Sequence, residues 1–497
     1  MKVMTPVLKV SLLIICPFLV WGAVSPDDLA LATSSIQRFL QQSLGWFYLL
    51  SVSGLLLCAV YLIFSRHGDI LLGQDGAQPE FKLVTWFAML FCAGMGIGLV
   101  FWGVAEPSHH FHVPPTGAGD TPESARLALR YSFFHWGLHP WAIYAMVGLC
   151  LAYFQFRKQL PGLISQSCQP LFGRHASGPI GHSIDTIAVF ATLFGVATSL
   201  GFGAIQISGG LSYLSGLPNS FATQLVVIIV VTFLFILSAY TGLQRGIKYL
   251  SNINMVLALS LLGFLLFLGP TRFIMDLFTS TLGSYLQHLP SMSLNLNPFE
   301  DSTWIHDWTL FYWAWWIAWA PFVGMFIARI SKGRTIREFV LGVLFVPTLF
   351  CALWFSVFGG TAISLEMVDH VPLQKVIDTQ GKEVALFTLL EQFPLGALMS
   401  LIAIVLIATF FITSADSATF VLGTLSTQGN LNPPNWIKLT WGIIQSFTAV
   451  VLLWSGGLQA LQTASIIVAF PFAIIIILMV IALLKSLQKE VQQSRPA

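Results

Sequence analysis

Charged side chains are scarce in this sequence. Only 9% of its 497 residues are Asp, Glu, Lys or Arg, while 56% are apolar and the mean hydropathy is +0.79. A soluble chain carries roughly a quarter charged residues, so a water-soluble globular protein is excluded. Cysteine is sparse too. Cys16, Cys58, Cys92, Cys150, Cys168 and Cys351 form no CxxC pair, which indicates neither a disulfide framework nor a zinc site. There is no phosphate-binding loop, GxSxG elbow or HExxH pair, so the signatures of an enzyme are missing. No basic stripe interleaved with loop aromatics points to a nucleic acid.

What the chain has instead is long apolar runs. Windows of about 20 apolar residues, enough to cross ~30 Å of hydrocarbon, lie near 5–23, 44–64, 84–105, 132–155, 183–206, 220–240, 250–269, 307–328, 339–362, 395–424, 436–455 and 462–484. In lipid only helices and closed barrels satisfy the backbone, and these runs are too long for barrel strands. The expectation is an all-α polytopic membrane protein with 12 transmembrane helices. Residues 271–287 are shorter and mixed, and read as an interfacial amphipathic helix. The first run, with Lys2 and Lys9 before it and Gly22 and Ala23 after it, also has the outline of a signal peptide. Its length, and the lack of a soluble domain after it, favour a span.

Of the 23 Lys and Arg residues, all but Arg38, Arg126, Arg130, Arg272, Lys375 and Lys382 fall on one side if both termini share it. The positive-inside rule makes that side the cytoplasm, and the expected location is a cell (inner) membrane. No long linker divides the chain. One transmembrane domain over 1–485 is expected, with a short cytoplasmic tail, 486–497, and no large regulatory domain.

Six of the 16 tryptophans lie between Trp304 and Trp319. Trp313, Trp315, Trp316 and Trp319 crowd into a span, whereas tryptophan ordinarily sits at membrane rims. Indole faces in apolar surroundings suit a cation. A second aromatic group, Trp136, Trp141 and Tyr144, occupies HWGLHPWAIY at 135–144, where Pro140 is expected to bend the helix. Rim anchoring is the alternative for each group alone; together they suggest a cage. Trp304 and Trp308, nearer the outer end, read as interface anchors. Glu106, Asp185, Asp307 and Asp416 fall toward span ends, leaving no carboxylate at mid-depth. Indoles without a carboxylate point to a diffuse, weakly hydrated trimethylammonium-type cation.

Gly94, Gly96, Gly98 and Gly103 weaken the third span, since glycine costs roughly 1 kcal/mol per helical position. Local unwinding and close helix packing both account for them. Pro321 and Gly324 interrupt the eighth span. These two spans head five-helix sets, 84–269 and 307–484, and interrupted helices at matching places point to a transporter's central site. Thr413, Ser414 and Ser417 offer hydroxyls for a small ion, or else bond back to their own helix. His109, His110 and His112, in HHFH, read as a solvated outward loop rather than a metal site.

The motifs GMGIGLVFWGVAEP (94–107), HWGLHPWAIY (135–144), FYWAWWIAWAPFVGMFIARISKGR (311–334) and FITSADSA (411–418) resemble the betaine/carnitine/choline transporter family along nearly the whole chain. The resemblance implies inverted five-helix repeats behind two extra leading helices (5–64), and a homotrimer. It implies an aromatic box of Trp136, Trp141, Tyr144 and Trp316, with Trp315, Trp319, Met95 and Gly98 as neighbouring contacts and Phe101 as a gating aromatic. It implies a sodium site of Thr413, Ser414, Phe410, Cys92 and Met95. A second sodium site, with Thr192 and Phe322, is in doubt because Val196 stands where a threonine is usual.

Two features refine the subclass that the resemblance implies. No Lys or Arg lies within 183–206, 220–240 or 250–269, where exchangers of the family carry a basic side chain. Gly98 stands where choline-type members carry an acid. The expected function is therefore import of a betaine-like quaternary ammonium zwitterion by sodium-coupled symport, with sodium as coupling ion and no other cofactor. The alternatives are a sodium-independent exchanger of carnitine-like compounds and a non-transporting receptor for quaternary amines.

Overall fold

The computed structural model describes residues 4–94, 96–241, 244–299 and 302–493. Among these the chain is helical throughout, with one isolated bridge between Leu71 and Thr335 and no strand. The main helices are α1 (Pro6–Val24), α2 (Pro26–Phe64), α3 (Leu83–Gly94), α4 (Ile97–His112), α5 (Pro122–Trp136), α6 (Leu138–Ala152) and α7 (Pro179–Ser215). After them come α8 (Phe221–Thr241), α9 (Gln244–Leu268), α10 (Thr271–Ser293), α11 (Phe311–Ile330), α12 (Ile336–Met367), α13 (Gly396–Ser426) and α14 (Asn435–Gln493). Ten helical stretches among the described residues are long and apolar enough to cross a membrane.

Burial sorts them into a centre and a rim. The apolar window of Pro122–Arg157, which holds α5 and α6, is 100% buried and that of α7 is 89% buried, against 22% for α8 and 28% for α9. Val226, Ile229 and Phe233 of α8 are exposed apolar side chains, as a face turned to lipid requires. α11 packs against α6, α7 and α14, and α4 against α5 and α12, so the aromatic-rich segments are central.

Several boundaries differ from the sequence reading, each for a local reason. Pro26 opens α2, with Asp27 and Asp28 in its first turn, so residues read as a loop are helical and Arg38 lies within α2. α5 breaks at Gly137, not at Pro140; Pro140 falls in the first turn of α6, where its missing N–H costs no hydrogen bond. Pro321 and Gly324 do not interrupt α11. Gly324 is a packing residue instead, since a Cβ on the facing Gly148 would lie 3.3 Å from its carbonyl oxygen. The irregularity there is a wide π-type turn just before α11, His306–Leu310. The windows 436–455 and 462–484 share α14, which kinks at Gly456 and Gly457, the latter at a positive φ that suits glycine. The HHFH segment is the last turn of α4, not a loop. The tail is largely helical, and Glu490 binds Tyr153, Arg157 and Lys158 at the end of α6.

Candidate functional site

Two helix breaks build the site. Between α3 and α4, Gly96 is fully extended (φ −165°, ψ 178°). At Gly137 the backbone leaves helical geometry (φ −98°, ψ −130°), and a Cβ there would lie 3.0 Å from the Tyr285 hydroxyl. Tyr285 accepts the Leu138 N–H at 3.1 Å, which satisfies a donor at the start of α6. On the other side of the break, the His135 carbonyl accepts the indole N–H of Trp316 at 2.9 Å. A ring of α11 is thus pinned to a carbonyl at the end of α5.

Around Trp316 the aromatic rings meet mostly edge to face. Ring centres lie 4.8 Å apart for Trp136 and Trp316, 6.2 Å for Tyr144 and Trp316, and 5.4 Å for Trp141 and Tyr144. Trp315 stacks on Trp316 at 4.8 Å. All five are buried, and all line a cavity of about 930 Å³. Gly98 lines it too, and a Cβ there would strike Trp315 and lie 3.2 Å from Trp136. Trp319 joins the wall, with its N–H on the Gly195 carbonyl at 2.7 Å and its ring on Phe322. The cavity runs from this box to a mouth at Gln155, Gly162, Arg329, Lys438 and residues 432–435. At the mouth, hydrogen bonds from Arg329 hold the Glu80 carboxyl below the usual carboxylate range.

Other sequence-derived candidates lie off this wall. Phe101 is buried against Phe202 (5.2 Å) and Trp102 (4.9 Å), in the aromatic packing beyond the box. Trp313 stacks on His139 at 5.2 Å. Thr192 is fully buried and donates to the Ala188 carbonyl at 2.8 Å, so its hydroxyl bonds within its own helix. Met95 lies outside the described residues, as does the side chain of Cys92.

Thr413, Ser414 and Phe410 share one stretch of the cavity wall. The Thr413 hydroxyl lies 3.0 Å from the Thr409 carbonyl and 3.2 Å from that of Phe410, and accepts from the Asn254 amide at 3.2 Å. Asn254 and Asp416 complete an oxygen-rich patch there; the Asp416 carboxylate accepts from Ser238 at 3.3 Å. Asp416 stands within α13 on the cavity wall, not near a span end as the sequence pattern suggests.

Glu106 departs furthest from expectation. It is fully buried directly behind the box, where it accepts the Trp136 N–H at 2.8 Å and the Tyr312 hydroxyl at 2.5 Å. Its other oxygen lies 2.7 Å from His135 Nδ1 and 3.4 Å from His110 Nε2. His110, read as a solvated loop residue, is fully buried. Trp304 and Trp308 are not interface anchors: both pack on His110, at 4.6 and 4.4 Å, and Trp304 donates to the Val113 carbonyl at 2.9 Å. The missed signal was an acid and a histidine one helical turn apart, Glu106 and His110, within a largely apolar helix.

The chain is 54% identical over 500 residues to the "Glycine betaine transporter OpuD" of Bacillus subtilis (strain 168), covering 100% of this chain and 97% of that protein. It is 44% identical to the "Probable glycine betaine transporter" of Desulfitobacterium hafniense (strain Y51), covering 98% of each. It is 43% identical to the "Ectoine/hydroxyectoine transporter" of Virgibacillus pantothenticus, covering 97% and 96%. The pattern of the family described as BCCT, betaine/carnitine/choline family transporter, matches residues 6–492. With helices apolar enough to cross a membrane many times, and an aromatic-walled cavity at its centre, the chain belongs to the betaine/carnitine/choline transporter family.

Proposed function

We propose that this transporter imports a betaine-like quaternary ammonium zwitterion, coupled to sodium entry, by alternating access. The observation that carries the reading is the packing of Trp136, Trp141, Tyr144 and Trp316 at the inner end of the cavity. A trimethylammonium group loses little hydration when it enters such a box, and each ring face contributes ~0.5–2 kcal/mol. The relatives named for glycine betaine and ectoine support the substrate class.

For the coupling ion, the reading assigns the Thr413 and Ser414 hydroxyls and the Phe410 carbonyl, with the Met95 and Cys92 carbonyls that the family resemblance implies. Hard cations take oxygen ligands. The spans 183–206, 220–240 and 250–269 carry no Lys or Arg, which favours symport over exchange. The fold reading is of two inverted five-helix repeats, 84–269 and 307–484, forming one transmembrane domain with two leading helices. Both termini are taken as cytoplasmic in a cell (inner) membrane, and the chain as a homotrimer. The mouth then opens to the cytoplasm.

Counterflow and sodium-gradient uptake in proteoliposomes test the function. Accumulation under an inward sodium gradient is expected. Flux that needs internal substrate and ignores sodium would make the protein an exchanger, and binding without flux would make it a receptor.

A further inference from the structure

We infer that Glu106 is the counter-charge of the aromatic box, and that it makes the box select a cation over a neutral group of the same shape. The inference rests on the reading of the cavity as a quaternary ammonium site. Glu106 stands on α4 with no exposed surface, inside a chain whose surroundings are lipid and apolar side chains. A carboxylate there is expensive unless compensated, and a buried ionisable residue in a membrane protein marks function by default. Its compensation is unusual. Three side chains hydrogen-bond to it, Trp136, Tyr312 and His135, and the His110 ring lies 3.4 Å away without a hydrogen bond, but among the described residues neither lysine nor arginine forms an ion pair with it. The knot is braced by His135 Nε2, 2.9 Å from the Thr309 hydroxyl. The site therefore supplies hydrogen bonds and no permanent cation.

The same knot carries the box. Trp136 hangs on the Glu106 carboxylate by its N–H, and Trp316 hangs on the backbone carbonyl of His135, whose ring faces Glu106. A hydrogen bond from an indole N–H to an ionised carboxylate is charge-assisted and shifts electron density onto the ring. That strengthens the face a cation meets, and at low local dielectric the carboxylate's own field reaches through the ring. A quaternary ammonium against Trp136 supplies the positive charge that Glu106 lacks. The ligating atoms of Glu106, His110 and His135 also lie within 4.8 Å of one another, as in a metal site. The 2.7 Å contact of His135 Nδ1 with Glu106 is a hydrogen bond that an ion between them would break.

The test compares glycine betaine with 3,3-dimethylbutanoate, its carbon isostere, by calorimetric binding to the purified full chain in detergent. Wild type is expected to prefer betaine. Glu106→Gln keeps the size of the side chain and removes the charge. It is expected to lower betaine affinity about tenfold and leave the isostere within about threefold. Equal losses for both ligands would reduce Glu106 to a structural brace and overturn the inference. If Glu106→Gln is not monodisperse, Trp136→Phe carries the test, because it keeps a ring and removes the donor to Glu106. Its betaine-to-isostere ratio is expected to fall as well, and an unchanged ratio overturns the inference. Wild type that binds betaine while the ratio survives mutation refutes this inference alone; wild type that binds no quaternary amine brings down the functional reading with it.

Discussion

The indole N–H of Trp316 donates to the backbone carbonyl of His135 across 2.9 Å, and it does so because α5 stops at Gly137. A continuous helix would offer that carbonyl the amide four residues on. The break releases it, and α11 supplies the replacement donor. The orientation of the box is therefore set by a backbone defect, and this leads to distinct behaviour for two substitutions at Trp316.

Trp316→Leu removes both ring and donor, and is expected to weaken betaine binding about tenfold or more. Trp316→Phe keeps a ring face but leaves the His135 carbonyl unpaired, and should cost about threefold to tenfold. Titration calorimetry in detergent checks both. Binding as tight as wild type in the leucine variant contradicts a role for this ring.

Gly98 is held to glycine by Trp315. A methyl group at this position collides with that indole and crowds Trp136 at 3.2 Å. Gly98→Ala should therefore cost about 1–3 kcal/mol of overpacking, lower the thermal midpoint and weaken betaine binding. Gly98→Asp should weaken it further, because the acid has to displace the same ring. A Gly98→Ala protein with unchanged midpoint and affinity would show that Trp315 moves freely.

Thr413→Val and Ser414→Ala remove hydroxyls with little change of shape at the oxygen-rich wall. Both should raise the sodium concentration needed for half-maximal uptake while leaving betaine binding at saturating sodium near wild type. Unchanged sodium dependence in the two variants would move the coupling site elsewhere.

Lys382 lies outside the spanning helices, with its ammonium over Trp308 at 4.9 Å and Trp102 at 5.7 Å. Burial holds its ammonium below the usual lysine range. The folded protein thus binds fewer protons than the unfolded chain between that lowered value and ~10.4, so stability rises with pH across this window. Lys382→Gln should flatten the rise. Thermal unfolding scans at steps of pH above neutrality measure it, and an identical slope in the variant contradicts the assignment.

The parts of the site that could be read from the sequence are those written locally. Tryptophans spaced along one helix, hydroxyls on another and alternate glycines on a third are patterns within one segment, and Trp136, Trp316, Thr413 and Gly98 all stand on the cavity wall. Glu106 was illegible because its meaning depends on Trp136 and Tyr312, which lie 30 and 206 residues away. Gly137 was hidden by Pro140, a stronger breaker by composition that proved harmless in the first turn of α6. The histidines of α4 resembled a loop by polarity, although Glu106 and His110 are one turn apart and face the same knot. Phe101 and Thr192 are suggested by resemblance alone, and neither lines the cavity.

In the proposed function, this aromatic cavity carries a quaternary ammonium compound across the membrane with sodium. The decisive measurement is uptake of radiolabelled glycine betaine into proteoliposomes of the purified full chain, with an inward sodium gradient against an equal potassium gradient. Accumulation is expected under sodium, with little under potassium, and it should be lost at low betaine concentration in Trp316→Leu. Uptake no greater than in protein-free liposomes under either gradient would contradict the proposed function.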